Sequence, residues 1–287
     1  MIYLLLSILA STLIFVIFTL FGKYKINTLQ AIVINYFTAF ITGIVSSTET
    51  LSVNEVINKD WFYGALFLGF LFITIFNVMA LTAQRNGLSV ASVASKMSVV
   101  IPILFGLYAY NESLSILKTI GILLALFAVY LTSVKAKTGK VSLKNLWLPI
   151  LLFFGSGTID TSIKYIETTY VSENGIPIFS ATIFAIAGII GIVIISAEAI
   201  KGKLKLDLRS VFGGIILGIV NYYSIYMLLK ALQVDSFESS NIFTINNVAI
   251  VMLSTLIGLA FFKEKLSIKN WSGIAIAILS IVLVTLA

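Results

Sequence analysis

Three ionisable side chains lie inside long apolar stretches of the sequence: Lys96, Asp160 and Lys164. A charged group at the centre of a membrane-crossing helix is unfavourable by about 2.5–3.5 kcal/mol on insertion scales. Such a group therefore needs a partner of opposite charge or a watery surrounding. A buried lysine can bind an anionic group and a buried aspartate can bind or balance a cationic one. The residue types thus predict the binding of a charged ligand.

Two arrangements of these three residues fit their spacing. Lys96 lies roughly 10 Å and Asp160 roughly 20 Å into helices that run in the same direction, so their axial offset is near 9 Å, and a long lysine side chain could close much of that gap. In the first arrangement both residues face one cavity. In the second, Asp160 pairs with Lys164 at i, i+4, and Lys164 extends to the surface. No acidic residue lies within one helical turn of Lys96, which favours a binding role for it. Asp160 could also carry a proton.

Amide and phenol side chains form a second group of candidates. They include Asn35, Gln84, Asn221 and Tyr223. Each could instead bridge two helices through a hydrogen bond, worth about 0.6 kcal/mol on average. The predicted substrate-binding residues are Lys96, Asp160, Lys164, Asn77, Asn246, Asn247, Asn241, Tyr222 and Tyr36. We predict no catalytic residue, no metal ligand and no cofactor.

The composition predicts the elements that must position these residues. Of the 287 residues 59% are hydrophobic and only 11% are charged, whereas soluble domains carry roughly 25% charged residues. Apolar runs of about 20 residues are long enough to cross a bilayer as helices. The predicted fold class is an all-α polytopic membrane protein with ten transmembrane helices. Their expected ranges are 2–22, 29–47, 61–84, 89–109, 116–134, 147–167, 177–199, 209–232, 238–262 and 268–286.

The sequence repeats itself at one offset. Glu112 and Glu264 differ by 152 positions (264 − 112), and four further identical pairs share that offset. These pairs are Leu114 and Leu266, Ser115 and Ser267, Gly106 and Gly258, and Gly121 and Gly273. We therefore predict a first five-helix repeat in 1–134, a lysine-rich linker in 135–146 and a second five-helix repeat in 147–287. Because five is odd, the second repeat enters the membrane from the opposite side, which makes a 5+5 inverted-topology repeat. On that offset Asn246 and Asn247 align with Ala94 and Ser95, the two residues that precede Lys96.

Charges in the loops predict an orientation. Loops after odd-numbered helices hold most of the lysines and arginines, and loops after even-numbered helices are mainly acidic. The positive-inside rule then places the odd loops in the cytoplasm and both termini outside.

Glycines and two acids outside the candidate site also carry predictions. Gly188, Gly191 and the pair Gly214 and Gly218 are expected to let helices pack closely. Glu112 and Glu264 each precede a helix start, where a carboxylate suits the helix dipole, and are interpreted as caps.

The whole pattern resembles the drug/metabolite transporter superfamily, and more narrowly an EamA-type permease. The resemblance is carried by the duplicated plan of a Pro102-bearing helix, a Glu-x-Leu-Ser turn and a glycine-containing helix. In the second copy Ser254 stands where Pro102 would fall. The resemblance implies a central substrate cavity lined by spans one, three, four, six, eight and nine. It also implies export or exchange of small organic solutes, with cytoplasmic termini in well-studied relatives, which conflicts with the charge count.

These features distinguish three classes of function. The sequence predicts a secondary transporter of small metabolites, such as amino acids or related solutes, that works by alternating access in the inner (plasma) membrane. A channel or scramblase would favour a continuous polar stripe, whereas the polar residues here cluster at mid-depth. An intramembrane enzyme is disfavoured because the chain has no His and no Cys. The expected partners are a small-molecule substrate and the lipid bilayer, with no nucleic acid and a monomer as a plausible state.

Overall fold

The computed structural model describes residues 2–46, 52–109, 115–133, 143–171, 175–201, 207–232 and 239–285. Every regular element in these ranges is a helix. The helices are α1 (Ile2–Lys23), α2 (Thr28–Ser46), α3 (Val53–Ile57), α4 (Phe62–Asn86), α5 (Leu88–Met97), α6 (Val100–Ala109), α7 (Ile116–Ser133), α8 (Leu143–Tyr170), α9 (Ile176–Ile200), α10 (Leu208–Leu232), α11 (Ser239–Ala260) and α12 (Ile268–Thr285).

The predicted fold class is confirmed. Within the described ranges, seven segments are long and apolar enough to cross a membrane, and three shorter apolar helices accompany them. The ten predicted ranges each coincide with helical structure to within a few residues. Two differences stand out. The short helix α3 was not predicted, and the fourth range contains two helices, α5 and α6, where the sequence suggested one.

The break between α5 and α6 follows from Pro102. Proline has no N–H and its ring collides with the carbonyl four residues earlier, so it fits only the first turn of a helix. The Ser98 carbonyl consequently accepts from Ile101 N–H, three residues on, at 2.9 Å. Ser98 also donates its hydroxyl to the Ser95 carbonyl. A new helix therefore starts at Val100, two residues before the proline, so that the ring lies in its first turn, and α5 ends as a ten-residue half-helix.

The helix α3 forms because Ser52 and Glu55 cap its N-terminus through two reciprocal hydrogen bonds. The Ser52 hydroxyl accepts from Glu55 N–H, and the Glu55 carboxylate accepts from Ser52 N–H at 2.8 Å. This capping box satisfies donors that would otherwise have no partner.

The chain forms two compact units. Unit 1 consists of Met1–Leu20, Val78–Thr158 and Tyr223–Ala287, and unit 2 of Phe21–Asn77 and Ile159–Tyr222. Each unit takes residues from both predicted repeats, whose boundaries remain a prediction.

The core of unit 1 lies where α5, α7, α11 and α12 meet. Val93, Met97, Ala125, Val251 and Ala277 are all fully buried there. The helices α7 and α12 run antiparallel. The Asn270 amide, near the start of α12, donates to the Leu131 and Thr132 carbonyls near the end of α7. The Ser280 hydroxyl, near the other end of α12, donates to the Gly121 carbonyl.

The core of unit 2 includes Trp61, Phe179 and Ile183. Its helices α2 and α9 also run antiparallel, because Gly191 lies against Val33 whereas Gly43 lies against Ala181.

Glycines bring α10 close to α2 in the same unit. A Cβ atom on Gly214 would lie 2.6 Å from the Ala31 carbonyl oxygen, and one on Gly218 would lie 2.7 Å from that of Asn35. Since these neighbours are backbone atoms, the predicted close-packing role of the glycine pair is confirmed.

Candidate functional site

Lys96 is positioned by the packing of α5 against α11 in unit 1. The Ser254 and Ser92 hydroxyl oxygens are 2.6 Å apart, and Ser254 Oγ also donates to the Val251 carbonyl. A Cβ on Gly258 would lie 3.1 Å from Ser89 Oγ, so the chain directions of α5 and α11 are antiparallel. Lys96 follows Ser92 by four residues and is half-buried. Residues four apart share one helix face, so Lys96 lies on the face of α5 that meets α11.

Asn247 lies on the corresponding face of α11. It precedes Ser254 by seven residues, two turns of helix, and is half-buried. Measured from the Ser92–Ser254 contact, Lys96 lies about 6 Å along the pair of helices and Asn247 about 10 Å along it, in the same direction. The axial positions of Lys96 and Asn247 therefore differ by about 4 Å. Asn247 is at the level of Ser98 and the break that follows α5. We call Ser92, Lys96, Asn247 and Ser254 the polar strip of unit 1.

Asn246, the neighbour of Asn247, is turned toward α1. Its side chain is 2% exposed, and its Oδ1 lies 3.4 Å from the Ser7 hydroxyl. The same hydroxyl donates to the Ser224 carbonyl of α10 at 2.9 Å. Ser7 thus joins three helices of unit 1 at the depth of the break in span four.

Glu264 holds the start of α5. Its carboxylate accepts hydrogen bonds from Leu88 N–H, Ser89 N–H and the Ser89 hydroxyl, the last at 2.7 Å. Glu264 was expected to cap the helix that follows it in the chain. The capping role is confirmed, but the helix is a different one, since α12 has its own cap.

That cap of α12 is formed by Ser267 and Asn270. Asn270 N–H donates to the Ser267 hydroxyl, and Asn270 Oδ1 accepts from Ser267 N–H at 2.9 Å. The first turn of α12 therefore leaves the Glu264 carboxylate available to α5. Glu112, the other predicted cap, lies outside the described residues.

Tyr36 of unit 2 has its hydroxyl committed to a helix-bridging bond. The residue is fully buried, and its Oη donates to the Phe72 carbonyl at 2.7 Å. Its ring stacks on Phe184 at a centroid distance of 6.1 Å. A similar bridge joins Asn221 to Asn35, with Nδ2 of the former donating to Oδ1 of the latter at 3.2 Å. These contacts match the helix-bridging alternative for amides and phenols.

The remaining candidates of unit 2 lie on α4, α8 and α10. Asn77 is half-buried and donates its Nδ2 to the Ile73 carbonyl of its own helix at 2.7 Å. Tyr222 is half-buried and packs toward Gly43. The side chains of Asp160 and Lys164 are exposed. The expected partnerships of Asp160 remain predictions. The side chain of Asn241, in α11 of unit 1, lies outside the described part of the chain.

Sequence reasoning missed the serines Ser7, Ser92 and Ser254. Serine is common in apolar helices, so its presence carried no signal. The one available hint was the spacing of Ser92 and Lys96 at i, i+4, which places a hydroxyl on the lysine's face.

The polar strip can recognise an acceptor-rich group. Lys96 supplies a positive charge with three N–H donors, and the Asn247 amide supplies two donors and an acceptor. A carboxylate matches this set because its oxygens accept several hydrogen bonds and carry the opposite charge. The strip therefore suits the binding of a small organic anion or zwitterion at the end of a half-helix.

Comparison with known proteins agrees with this architecture. Residues 2–134 match the EamA-like transporter family. An uncharacterized protein of Haemophilus influenzae is 29% identical over 286 residues, which cover 96% of this chain and 94% of that protein. A solved crystal structure of another protein aligns over 99% of this chain and 98% of its own, with a TM-score of 0.56 and 15% identity. At that identity the likeness shows the fold alone. EamA-like proteins are polytopic membrane transporters with a ten-helix fold. Over residues 2–134, somewhat less than half of the chain, the sequence is therefore similar to the EamA-like transporter family.

Proposed function

We propose that this membrane transporter carries small organic metabolites that bear a carboxylate, such as amino acids or related solutes, and that Lys96 binds the carboxylate. The observation that supports this best is the position of Lys96. It is half-buried in the last turn of a half-helix, on the face that carries a hydroxyl pair and within about 4 Å in depth of an amide. Binding sites beside interrupted helices are common in secondary transporters.

Transport proceeds by alternating access, as an exporter or exchanger, in the plasma membrane. The antiparallel packing of α2 with α9, α5 with α11 and α7 with α12 supports this proposal. Each pair joins a helix of the first predicted repeat to its counterpart in the second, and antiparallel counterparts are what an inverted repeat requires. A repeat of this kind can exchange the roles of its two halves, and with them the side of the membrane to which the substrate is exposed.

Counterflow in reconstituted vesicles tests the proposal. The purified protein is placed in liposomes loaded with one unlabelled amino acid or organic acid at a time, and uptake of the labelled solute is followed. We expect saturable uptake that is accelerated by solute on the opposite side. Flux that rises linearly with concentration would instead indicate a pore.

The Lys96→Ala variant tests the site. We expect carboxylate transport to fall by at least tenfold, since a charged hydrogen bond contributes about 1.5–3 kcal/mol. Lys201→Ala is the matched control, because Lys201 is exposed at the end of α9, and it should transport at the wild-type rate. An unchanged rate in Lys96→Ala, at equal protein level, would contradict the assignment.

A further inference from the structure

The contacts of Glu264 extend beyond the capping of a helix, because the helix that it caps is the one that carries Lys96. The two residues lie at opposite ends of α5, and Leu88, whose N–H Glu264 binds, is 176 positions away in the chain. We propose that Glu264 is a positioning residue for Lys96, acting through α5 as a rigid ten-residue rod. This inference rests on the carboxylate-binding function proposed above for Lys96.

The structure gives α5 the freedom that such a role requires. At its C-terminal end the helical hydrogen bonding is distorted before Pro102, since Ile101 N–H donates to the Ser98 carbonyl only three residues earlier. At its N-terminal end it begins after Gly87, whose φ of 109° is a conformation that favours glycine. A half-helix with a turn at each end takes its position from side-chain contacts, and Glu264 supplies three of them to its first turn.

The surroundings of Glu264 leave room for its carboxylate and little else. A Cβ on Gly258 would lie 2.6 Å from Glu264 Oε2, and one on Gly87 would lie 2.8 Å from Oε1. The loop also holds Lys263 at a φ of 51°, in the left-handed region. Two glycines and a left-handed lysine therefore bring this carboxylate to α5, whereas α12 is capped independently by Ser267 and Asn270.

Disulfide formation measures the position of α5 without any substrate. The chain has no cysteine, so Ser92→Cys with Ser254→Cys introduces the sole reactive pair, at hydroxyls that are 2.6 Å apart. The control pair is Gly43→Cys with Ala181→Cys in unit 2, where a Cβ on Gly43 would lie 3.6 Å from Ala181 Cβ, a separation that suits a disulfide.

We expect Glu264→Ala to slow crosslinking of the Ser92/Ser254 pair by about tenfold, since charge-assisted hydrogen bonds to the helix are lost. Glu264→Gln, which keeps one acceptor oxygen, should give an intermediate rate and serves if the alanine variant does not fold. The control pair should crosslink at the same rate in all backgrounds. An unchanged Ser92/Ser254 rate in the folded variants, or equal slowing of both pairs, would overturn the proposal.

A second readout follows Lys96 itself. In a Lys96→Cys variant, we expect Glu264→Gln to change the rate of modification by a charged methanethiosulfonate reagent severalfold, and equal rates would refute the link between the two residues. In counterflow, Glu264→Gln should raise the half-saturation concentration of L-alanine while leaving that of L-alaninamide, which lacks the carboxylate, unchanged. Should neither solute be transported, the carboxylate function fails, and the crosslinking and modification rates still decide whether Glu264 positions α5.

Discussion

Polar side chains bridge helices in both units of this protein, and in unit 1 they also hold the start of a half-helix. In unit 2, buried polar side chains bond directly across helices, as Tyr36 does to α4 and Asn221 does to α2. Glycines in α10 bring it against the backbone of α2. In unit 1, one span is interrupted at Ser98, and the resulting half-helix is held at its start by a carboxylate from a distant loop.

The difference separates two uses of polar residues in apolar helices. Direct bonds and close glycine contacts fix unit 2 by packing, and a Cβ added at Gly214 or Gly218 would meet the backbone of α2. In unit 1, besides the bridges that Asn270 and Ser280 make between α12 and α7, polar contacts gather at the ends of the short helix α5, and Lys96 and Asn247 lie near the break. The same amino acid types therefore bridge helices in both units and, beside the break of unit 1, are candidate ligand contacts as well.

The largest effect that would sharpen this comparison is expected from Gly218→Val. Its Cβ would lie 2.7 Å from the Asn35 carbonyl oxygen, which cannot move without displacing α2. We expect a loss of about 3 kcal/mol or more in the free energy of unfolding, because overpacking against backbone is poorly relieved. Thermal unfolding in detergent measures it. The control is Gly43→Ala, whose added Cβ would contact its neighbours at an ordinary 3.6 Å. Equal melting temperatures for the two variants would show that unit 2 tolerates looser packing.

A smaller effect of opposite sign is expected from Pro102→Ala in unit 1. Alanine restores an N–H that can donate to the Ser98 carbonyl and removes the ring that interrupts the span. We expect the free energy of unfolding to rise by about 1–2 kcal/mol, roughly the contribution of one restored hydrogen bond. The gain is no larger because the proline ring already lies in the first turn of α6, where proline is tolerated. Counterflow should slow at the same time, since Lys96 would lie within a continuous helix. A variant that is both more stable and equally active would show that the break has no part in transport.

The smallest effect is expected from Tyr36→Phe in unit 2. The substitution removes the bond to the Phe72 carbonyl and keeps the ring stacked on Phe184. Unfolding free energy should fall by about 0.6–1 kcal/mol, the usual worth of a bond between helices. Counterflow of the same solutes then distinguishes bridging from binding. A transport loss as large as that of Lys96→Ala would return Tyr36 to the substrate site, whereas a modest loss in stability alone would fit the bridge.

The sequence predicted the helices well because membrane crossing imposes a length and a composition on each of them. The ten predicted ranges coincide with helical structure, and Gly218 was assigned its packing role from its spacing to Gly214 alone. The break in span four was not predicted, although Pro102 was noted. A proline inside an apolar run is compatible with one kinked helix or with the start of a second helix. Which of the two forms depends on whether the carbonyl and hydroxyl of Ser98 find hydrogen-bond partners other than the missing proline N–H.

The candidate site could be predicted only in part. Lys96 and the asparagines were visible because polar residues are rare in apolar helices. The partners that hold them were not, because Ser7, Ser254 and Glu264 reach their contacts through tertiary packing that no local pattern encodes. Tyr36 shows the same limit from the other side, since a phenol in an apolar helix has the same sequence signature whether it binds a ligand or a neighbouring carbonyl.

The reach of Glu264 also bears on how the protein is made. Translation delivers the first turn of α5 176 residues before it delivers the carboxylate that binds it. Until that carboxylate is synthesised, those N–H groups lack the partner that they have in the folded protein. A fragment that stops after residue 134 would lack the Glu264 carboxylate altogether. The carboxy-terminal portion therefore completes the folding of the portion that was synthesised first.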